Sequence, residues 1–287
     1  MPCYHPVRAY RTPGGTITFK EGGDSGSALD LPCGRCIGCR IQRTQQWALR
    51  CMHEAAMHDA NSFITLTYGE NCDPSLNYHD FQKFLKALRR TTPIRFFAAG
   101  EYGALHERPH WHALIFGHHF DRWHQVSEQA WASHQLANLW PHGHSSTGDV
   151  TQQSAAYVAS YCIKKITGPL AKQHYERVNL ATGEIFQLTP EMARMSLKPG
   201  IGATYFDRYK REIYYARDGC VQPGGKTLKP PRYYDKRLAE HDIKQACEIE
   251  TNRILDAQTR QEDNTPDRLN IKEHIALERQ KQKQRKL

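Results

Sequence analysis

The chain has 287 residues, 39% apolar and 24% charged, with a formal net charge of +9 and a mean hydropathy of −0.72. No run approaches the roughly 18 apolar positions of a membrane helix, and Met1-Pro2-Cys3-Tyr4-His5 lacks the basic and apolar pattern of a secretion signal, so an intracellular location is expected. The basic surplus favours a polyanionic partner, nucleic acid first. Nine cysteines in such a chain point to thiols or metal ligands rather than a disulfide framework.

Residues 1–40 are rich in Gly and Pro and end in Leu31-Pro32-Cys33-Gly34-Arg35-Cys36-Ile37-Gly38-Cys39-Arg40. Cysteines at i, i+3 and i+6 in a Gly-punctuated turn let thiolates converge on one ion, and Cys3 is available as a fourth ligand. Structural Zn²⁺ held by Cys3, Cys33, Cys36 and Cys39 is the preferred reading; unliganded thiols in a basic loop are the alternative. From Ile41 to about Asp59, Ala48, Met52 and Ala55 keep helical spacing beside Trp47 and Cys51. Ser62 to Tyr68 is a β-branched and aromatic run, a strand. Asn77 then reads as a helix cap with Asp80 in a capping-box position. Tyr78, Phe81, Phe84, Leu85 and Leu88 form one apolar stripe, which predicts a core-packing helix from Asn77 to Arg90.

Two strands follow, Ile94–Gly103 and Arg108–Gly117, joined by a short loop that makes them antiparallel neighbours. Side chains alternate across a strand, so His110 and His112 share one face with Leu114 and Phe116, and Trp111, Ala113 and Ile115 take the other. The hairpin brings Glu101, at the exit of the first strand, near both imidazoles. A carboxylate and two imidazoles suit Mg²⁺ or Mn²⁺ in phosphoryl chemistry. Residues 118–150 are polar and rich in His and Trp; a helix is expected over Ser127–Leu139, and no second metal site. The next helix opens at Asp149, Thr151 or Ser154 and stops before Gly168-Pro169. Tyr157, Tyr161 and Lys165 run i, i+4, i+8 along one face, with Lys164 beside it. Tyrosines at that spacing also pack cores. The neighbouring lysines favour chemistry instead, because a phenol can attack a phosphodiester while an ammonium steadies the leaving oxygen.

Beyond residue 170 a hairpin is expected from Val178 to Leu188. Tyr205 to Tyr215, carrying Arg208, Lys210 and Arg211, suits single-stranded nucleic acid or an amphipathic helix that packs its tyrosines. Pro230-Pro231 marks a linker, and the chain ends in a charged, low-complexity tail. The expected fold is α+β: a central antiparallel sheet of about five strands with helices on one face. The expected division is a Cys-rich segment with a helix over 1–59, a sheet domain carrying the paired histidines and tyrosines over 60–229 and a helical, basic extension over 230–287.

The strand Phe63–Tyr68, Gly100–Gly103, the His-hydrophobic-His strand Arg108–Gly117 and the Tyr-x-x-x-Tyr helix Ala155–Lys165, in that order after Cys33–Cys39, resemble the HUH endonucleases. More closely they resemble the replication initiators of gokushovirus-type microviruses, small single-stranded DNA phages. The matching pieces span about the first 60% of the chain. The resemblance implies an HUH-like fold and an enzyme that nicks the origin of the replicative-form DNA. A tyrosine links to the 5′-phosphate, the free 3′-OH primes rolling-circle synthesis, and a second tyrosine cleaves the regenerated origin so that the released strand closes into a circle. It implies His110, His112 and Glu101 as ligands of Mg²⁺ or Mn²⁺, Tyr157 and Tyr161 as alternating nucleophiles, and Lys164 or Lys165 as helper. It also implies single-stranded and origin DNA as partners, host helicase and polymerase as candidate further partners, and the cytoplasm of the bacterial host as location. The rival readings are an HUH transposase or relaxase, and a zinc-stabilised nucleic-acid-binding protein without catalysis.

Overall fold

The structure is a computed structural model that describes residues 3–21, 28–103, 107–161, 168, 170–178, 182–222 and 224–284. Near the N-terminus β1 (Val7–Arg11) pairs antiparallel with both β2 (Ile17–Thr18) and β3 (Ala28–Leu31). Helix α1 (Ile37–Ala55) begins four residues earlier than its apolar spacing predicts. The cysteine turn feeds straight into it, with the Cys36 carbonyl accepting from the Arg40 N–H at 3.0 Å. β4 (Asn61–Thr67) and α2 (Tyr78–Leu88) follow as expected. Asn77 caps α2 by accepting from the His79 N–H at 2.9 Å, whereas Asp80 accepts from the Tyr68 hydroxyl. β5 (Arg95–Tyr102) and β6 (Pro109–Phe116) form the expected hairpin.

The helix expected over Ser127–Leu139 is mostly something else. β7 (His124–Ser127) and β8 (Ala130–Ala132) make a hairpin, and only His134–Leu139 is helical, as α3. Asp121 fixes that start by accepting from Ser133 Oγ and from the His134 and Gln135 N–H groups. β9 (Ser145–Gly148), α4 (Gln152–Tyr161) and α5 (Leu170–Tyr175) come next. β10 (Glu176–Val178) and β11 (Ile185–Gln187) are the expected second hairpin. β12 (Met192–Met195) leads to α6 (Ala203–Lys210), which runs into a π-helical turn at Arg211–Tyr215. The small pair β13 (Cys220–Val221) and β14 (Thr227–Leu228) and the helices α7 (Arg232–His241), α8 (Ile243–Gln258) and α9 (Pro266–Gln284) complete the chain. No helix of the described residues is long and apolar enough to cross a membrane.

The main sheet is antiparallel with seven strands, in the order β12-β5-β6-β4-β9-β8-β7. The fold is therefore α+β with an HUH endonuclease-like central sheet. It exceeds the expected five strands because β7, β8, β9 and β12 are only three or four residues long, too short to carry a pattern of their own. The expectation of helices on one face is also corrected. Trp111, Ala113 and Ile115 pack with Phe81, Phe84 and Leu88 of α2 on one side. Leu114, Phe116, Phe97 and Ala99 pack with Ala48 and Cys51 of α1 and Val158 of α4 on the other. Apart from the end of the hairpin that carries Glu101, His110 and His112, the buried parts of β5 and β6 are apolar on both faces, and such strands need cover on both sides.

The chain divides into two compact units, residues 1–43 with 238–287, and residues 44–237, the boundaries falling inside α1 and α7. In the first, Tyr4 and Leu269 pack with the buried thiols of Cys36 and Cys39. In the second, His53 is buried against Tyr205, ring centroids 3.8 Å apart, with Nδ1 3.0 Å from the Tyr234 hydroxyl. Burial pushes the His53 imidazole down to about 4, from 6.5. Above pH 6.5 the group is neutral in both folded and unfolded chains. Below it the unfolded chain binds a proton that the folded chain refuses, so stability falls by about 1.4 kcal/mol per pH unit until about pH 4. Urea unfolding of the wild type should show this slope between pH 6 and 4.5. His53→Gln should flatten it, and an identical slope in that variant would assign the effect to other groups.

Candidate active site

The β5–β6 register sets Glu101 opposite His110 and Ala99 opposite His112. On the other side of β6, β4 sets Thr65 opposite His112 and Thr67 opposite His110. Alternation then brings Glu101, His110, His112 and Thr65 to the sheet face that α4 covers. Glu101 and His112 are both buried, each 6% exposed, and His112 Nε2 lies 3.0 Å from Glu101 Oε1. A carboxylate accepts, so Nε2–H donates to Glu101, and Thr65 Oγ1, 3.0 Å from Nδ1, donates to the opposite nitrogen. His110 Nδ1 lies 2.5 Å from the Arg108 carbonyl. A carbonyl can only accept, so that nitrogen carries the proton and Nε2 of His110 keeps its lone pair. Burial lowers the tendency of His110 to protonate, which preserves that lone pair.

α4 carries the two tyrosines to the same place. Tyr157 stands edge-on to His112 at 5.0 Å between centroids, and Tyr161 stacks on it at 5.2 Å. The two phenol rings are 4.8 Å apart, and Tyr157 Oη is 3.4 Å from His112 Nε2. Their surroundings differ: Tyr157 is 44% exposed and Tyr161 only 5%. Burial holds both phenols above their usual range, with Tyr157 and Glu101 adding to the effect at Tyr161. Lys164 and Lys165 lie outside the described residues.

The structure thus gathers Glu101, Tyr157 and Tyr161 around His112, with His110 one step farther out, its ring centroid 6.2 Å from that of His112. Glu101 and His112 supply a buried carboxylate and an imidazole nitrogen in direct contact, which share one proton that a cation can replace. His110 stands beside them with a free lone pair, but its nitrogens do not converge with those two groups on one point. Sequence reasoning missed Thr65 and Gly103. Thr65 is visible only once β4 is placed in register with β6. A Cβ built on Gly103 would sit 2.9 Å from His110 Cε1, so the glycine leaves room for the ring. Gly103→Ala should displace His110 and weaken divalent-cation affinity by about tenfold, the size of an outer-shell change. Calorimetric titration with Mn²⁺ checks this, and unchanged affinity would remove His110 from the ligand set.

The four N-terminal thiols form a second group. Sγ of Cys3, Cys33, Cys36 and Cys39 all lie within 4.8 Å of one another, the single set of three or more His, Cys, Asp or Glu ligand atoms that converges in this way among the described residues. Backbone N–H groups point at the sulfurs: Cys33 to Cys3 at 3.1 Å, Cys36 to Cys33 at 3.3 Å and Tyr4 to Cys36 at 3.4 Å. Burial disfavours the Cys36 thiolate, but backbone N–H groups, that of Tyr4 among them, bring it below the usual range; burial moves Cys39 the opposite way. Four such thiols are placed to hold a metal ion.

A histidine-bearing antiparallel sheet faced by a two-tyrosine helix belongs to the HUH endonuclease-like class of fold. Residues 61–166, which contain the whole of this site, match the family described as replication-associated protein ORF2/G2P. Replication-associated protein VP4 of Bdellovibrio phage phiMH2K is 30% identical over 290 residues, spanning 91% of this chain and 87% of that protein. Replication-associated protein ORF2 of Spiroplasma virus 4 is 29% identical over 275 residues, 83% of this chain and 80% of that protein. Replication-associated protein ORF4 of Chlamydia phage 1 is 32% identical over 160 residues, 48% of this chain and 39% of that protein. No solved structure matches the chain significantly. The chain belongs to this family of phage replication-associated proteins, the replication initiators of microviruses.

Proposed function

We propose that the chain is a metal-dependent, site-specific DNA nickase and strand transferase that starts rolling-circle replication in the host cytoplasm. What supports the reading is the meeting of two phenols and a carboxylate around His112. Glu101, His110 and His112 would hold Mg²⁺ or Mn²⁺, and the mixed carboxylate and imidazole set favours Mn²⁺. When bound, the cation polarises the scissile phosphate. Tyr157, the exposed phenol, attacks first. Its oxygen forms the bond to phosphorus, its proton departs, and the 3′-oxygen leaves and takes up a proton, with Lys164 or Lys165 as donor. Phosphotyrosine conserves the phosphodiester, so the 3′-OH of the regenerated strand can reverse the linkage and close a circle. Tyr161 serves the second cleavage. Single-stranded and origin DNA are the substrates, and host helicase and polymerase are further partners. Zn²⁺ at Cys3, Cys33, Cys36 and Cys39 has a structural role.

The test is incubation with labelled single-stranded origin DNA and Mn²⁺, followed by a denaturing gel and peptide mapping. The expected product is a 5′-phosphotyrosyl adduct, mainly on Tyr157, absent when the cation is withheld. DNA binding without any adduct would move the assignment to a zinc-stabilised binding protein. Adducts formed equally on unrelated strands would favour a transposase or relaxase over an initiator.

A further inference from the structure

The sheet face opposite the tyrosines carries an open groove of about 350 Å³ beside α2 and β5. That volume falls within the roughly 300–1,000 Å³ of small-ligand sites. Phe96 and Leu85 form its apolar floor, and Tyr78 forms one wall. Lys86, Arg89 and Arg90, all exposed, line the rim. Arg194, from the edge strand β12, lies over the Tyr78 ring at 5.0 Å, and Arg89 lies over Phe96 at 5.6 Å. No acidic residue lines the groove, and none of these four cations has an ion-pair partner among the described residues, whereas Lys83 on the same helix pairs with Asp80.

Cations at the end of a helix offset its dipole, and that accounts for Lys86, Arg89 and Arg90 as helix residues. It does not account for Arg194, which arrives from a different strand, nor for two aromatic rings beneath the charges. Rings capped by unpaired guanidinium groups fit a ligand that alternates flat aromatic groups with phosphates.

We propose that this groove binds single-stranded DNA, with a base against Tyr78 and backbone phosphates on Lys86, Arg89, Arg90 and Arg194. Strand alternation separates it from the tyrosine pair. Phe96 belongs to the α2 face of β5, and Phe97 and Ala99 belong to the α4 face. It is thus a second DNA contact, independent of the chemistry proposed at His112, and a binding measurement with no divalent cation added tests it whether or not that chemistry is right.

The experiment is fluorescence anisotropy with a labelled oligothymidine over a series of salt concentrations, comparing the full chain with the double variant Arg89→Glu, Arg90→Glu. Each phosphate contact in a single strand contributes about 0.7 to the slope of log affinity against log salt, so losing two should flatten the slope by about 1.4 and weaken binding about tenfold near 0.1 M salt. Tyr78→Ala should weaken binding about fivefold or more with the slope unchanged, because stacking carries no charge. Arg89→Gln, Arg90→Gln, checked for an unchanged thermal midpoint, guards against a folding effect of charge reversal. Wild-type affinity and slope in both double variants would overturn the proposal. An equal loss on duplex DNA of the same length would also overturn it, by assigning the groove to phosphates alone.

Discussion

His112→Ala should cut the proposed tyrosyl–DNA linkage to near background while leaving single-strand affinity within about twofold, if binding rests on phosphate contacts distributed over the surface. The linkage rate should fall on the order of 10³-fold or more, the scale on which enzymes lose rate when a member of a catalytic unit is removed. The reason is geometric. His112 touches Glu101, Thr65, Tyr157 and Tyr161 at once, so its removal takes away a proposed metal ligand and the surface on which both phenols rest. Thr65→Val gives a graded version. It removes only the hydroxyl that orients the ring, so Mn²⁺ affinity should drop about 10–100-fold, and excess Mn²⁺ should restore activity. Thr65→Ser should behave as wild type. Rates measured across a Mn²⁺ series separate these cases. Linkage that survives in His112→Ala would remove the metal assignment altogether.

Stripping the ion from the N-terminal thiols should unfold residues 1–43 and 238–287 while leaving residues 44–237 folded. The buried apolar residues of the first unit, among those described, are few: Tyr4, Ala9, Cys36, Cys39, Leu238, Ile249 and Leu269. Two of these are thiols of the cluster. Structural zinc contributes roughly 10–16 kcal/mol at neutral pH in small domains, more than a core of this size supplies. The purified protein should therefore hold one zinc per four thiolates, released by a thiol-reactive reagent and read with a colorimetric chelator. After removal, limited proteolysis should trim both ends of the chain and stop near residues 44 and 237. Cys36→Ser should reproduce the trimming without chelator. A metal-free protein with protected ends would show that the thiols pack as ordinary small apolar groups.

The site was legible in the sequence to the extent that it follows alternation and helical spacing. His110 and His112 share a face because they are two apart on one strand, and Tyr157 and Tyr161 share one because they are four apart on a helix. The β5–β6 hairpin was legible because its loop is short, and that placed Glu101. What could not be read is what depends on register between distant segments. Thr65 meets His112 across a separation of 47 residues, and no local pattern encodes that pairing. The same limit explains the sheet. Ala130–Ala132 and Ser145–Gly148 are strands because of their neighbours, not their composition. Ser127 to Leu139 looks helical by spacing alone, but the hairpin at β7 and β8 and the cap at Ser133 take the first part of it. The unequal exposure of Tyr157 and Tyr161 was likewise hidden, since both occupy the same face of α4 and only the packing beneath them differs.

The pairing of Glu101 with His110 across β5 and β6 constrains how such a chain can change in length. One residue added between His110 and His112 would send the two imidazoles to opposite faces of the sheet, one of them into the aromatic layer beneath α2. One residue added between Gly103 and Arg108 would change only the span of the loop, because the ladder on either side keeps its register. Insertions and deletions should therefore accumulate at the tip of this hairpin and be lethal along its arms.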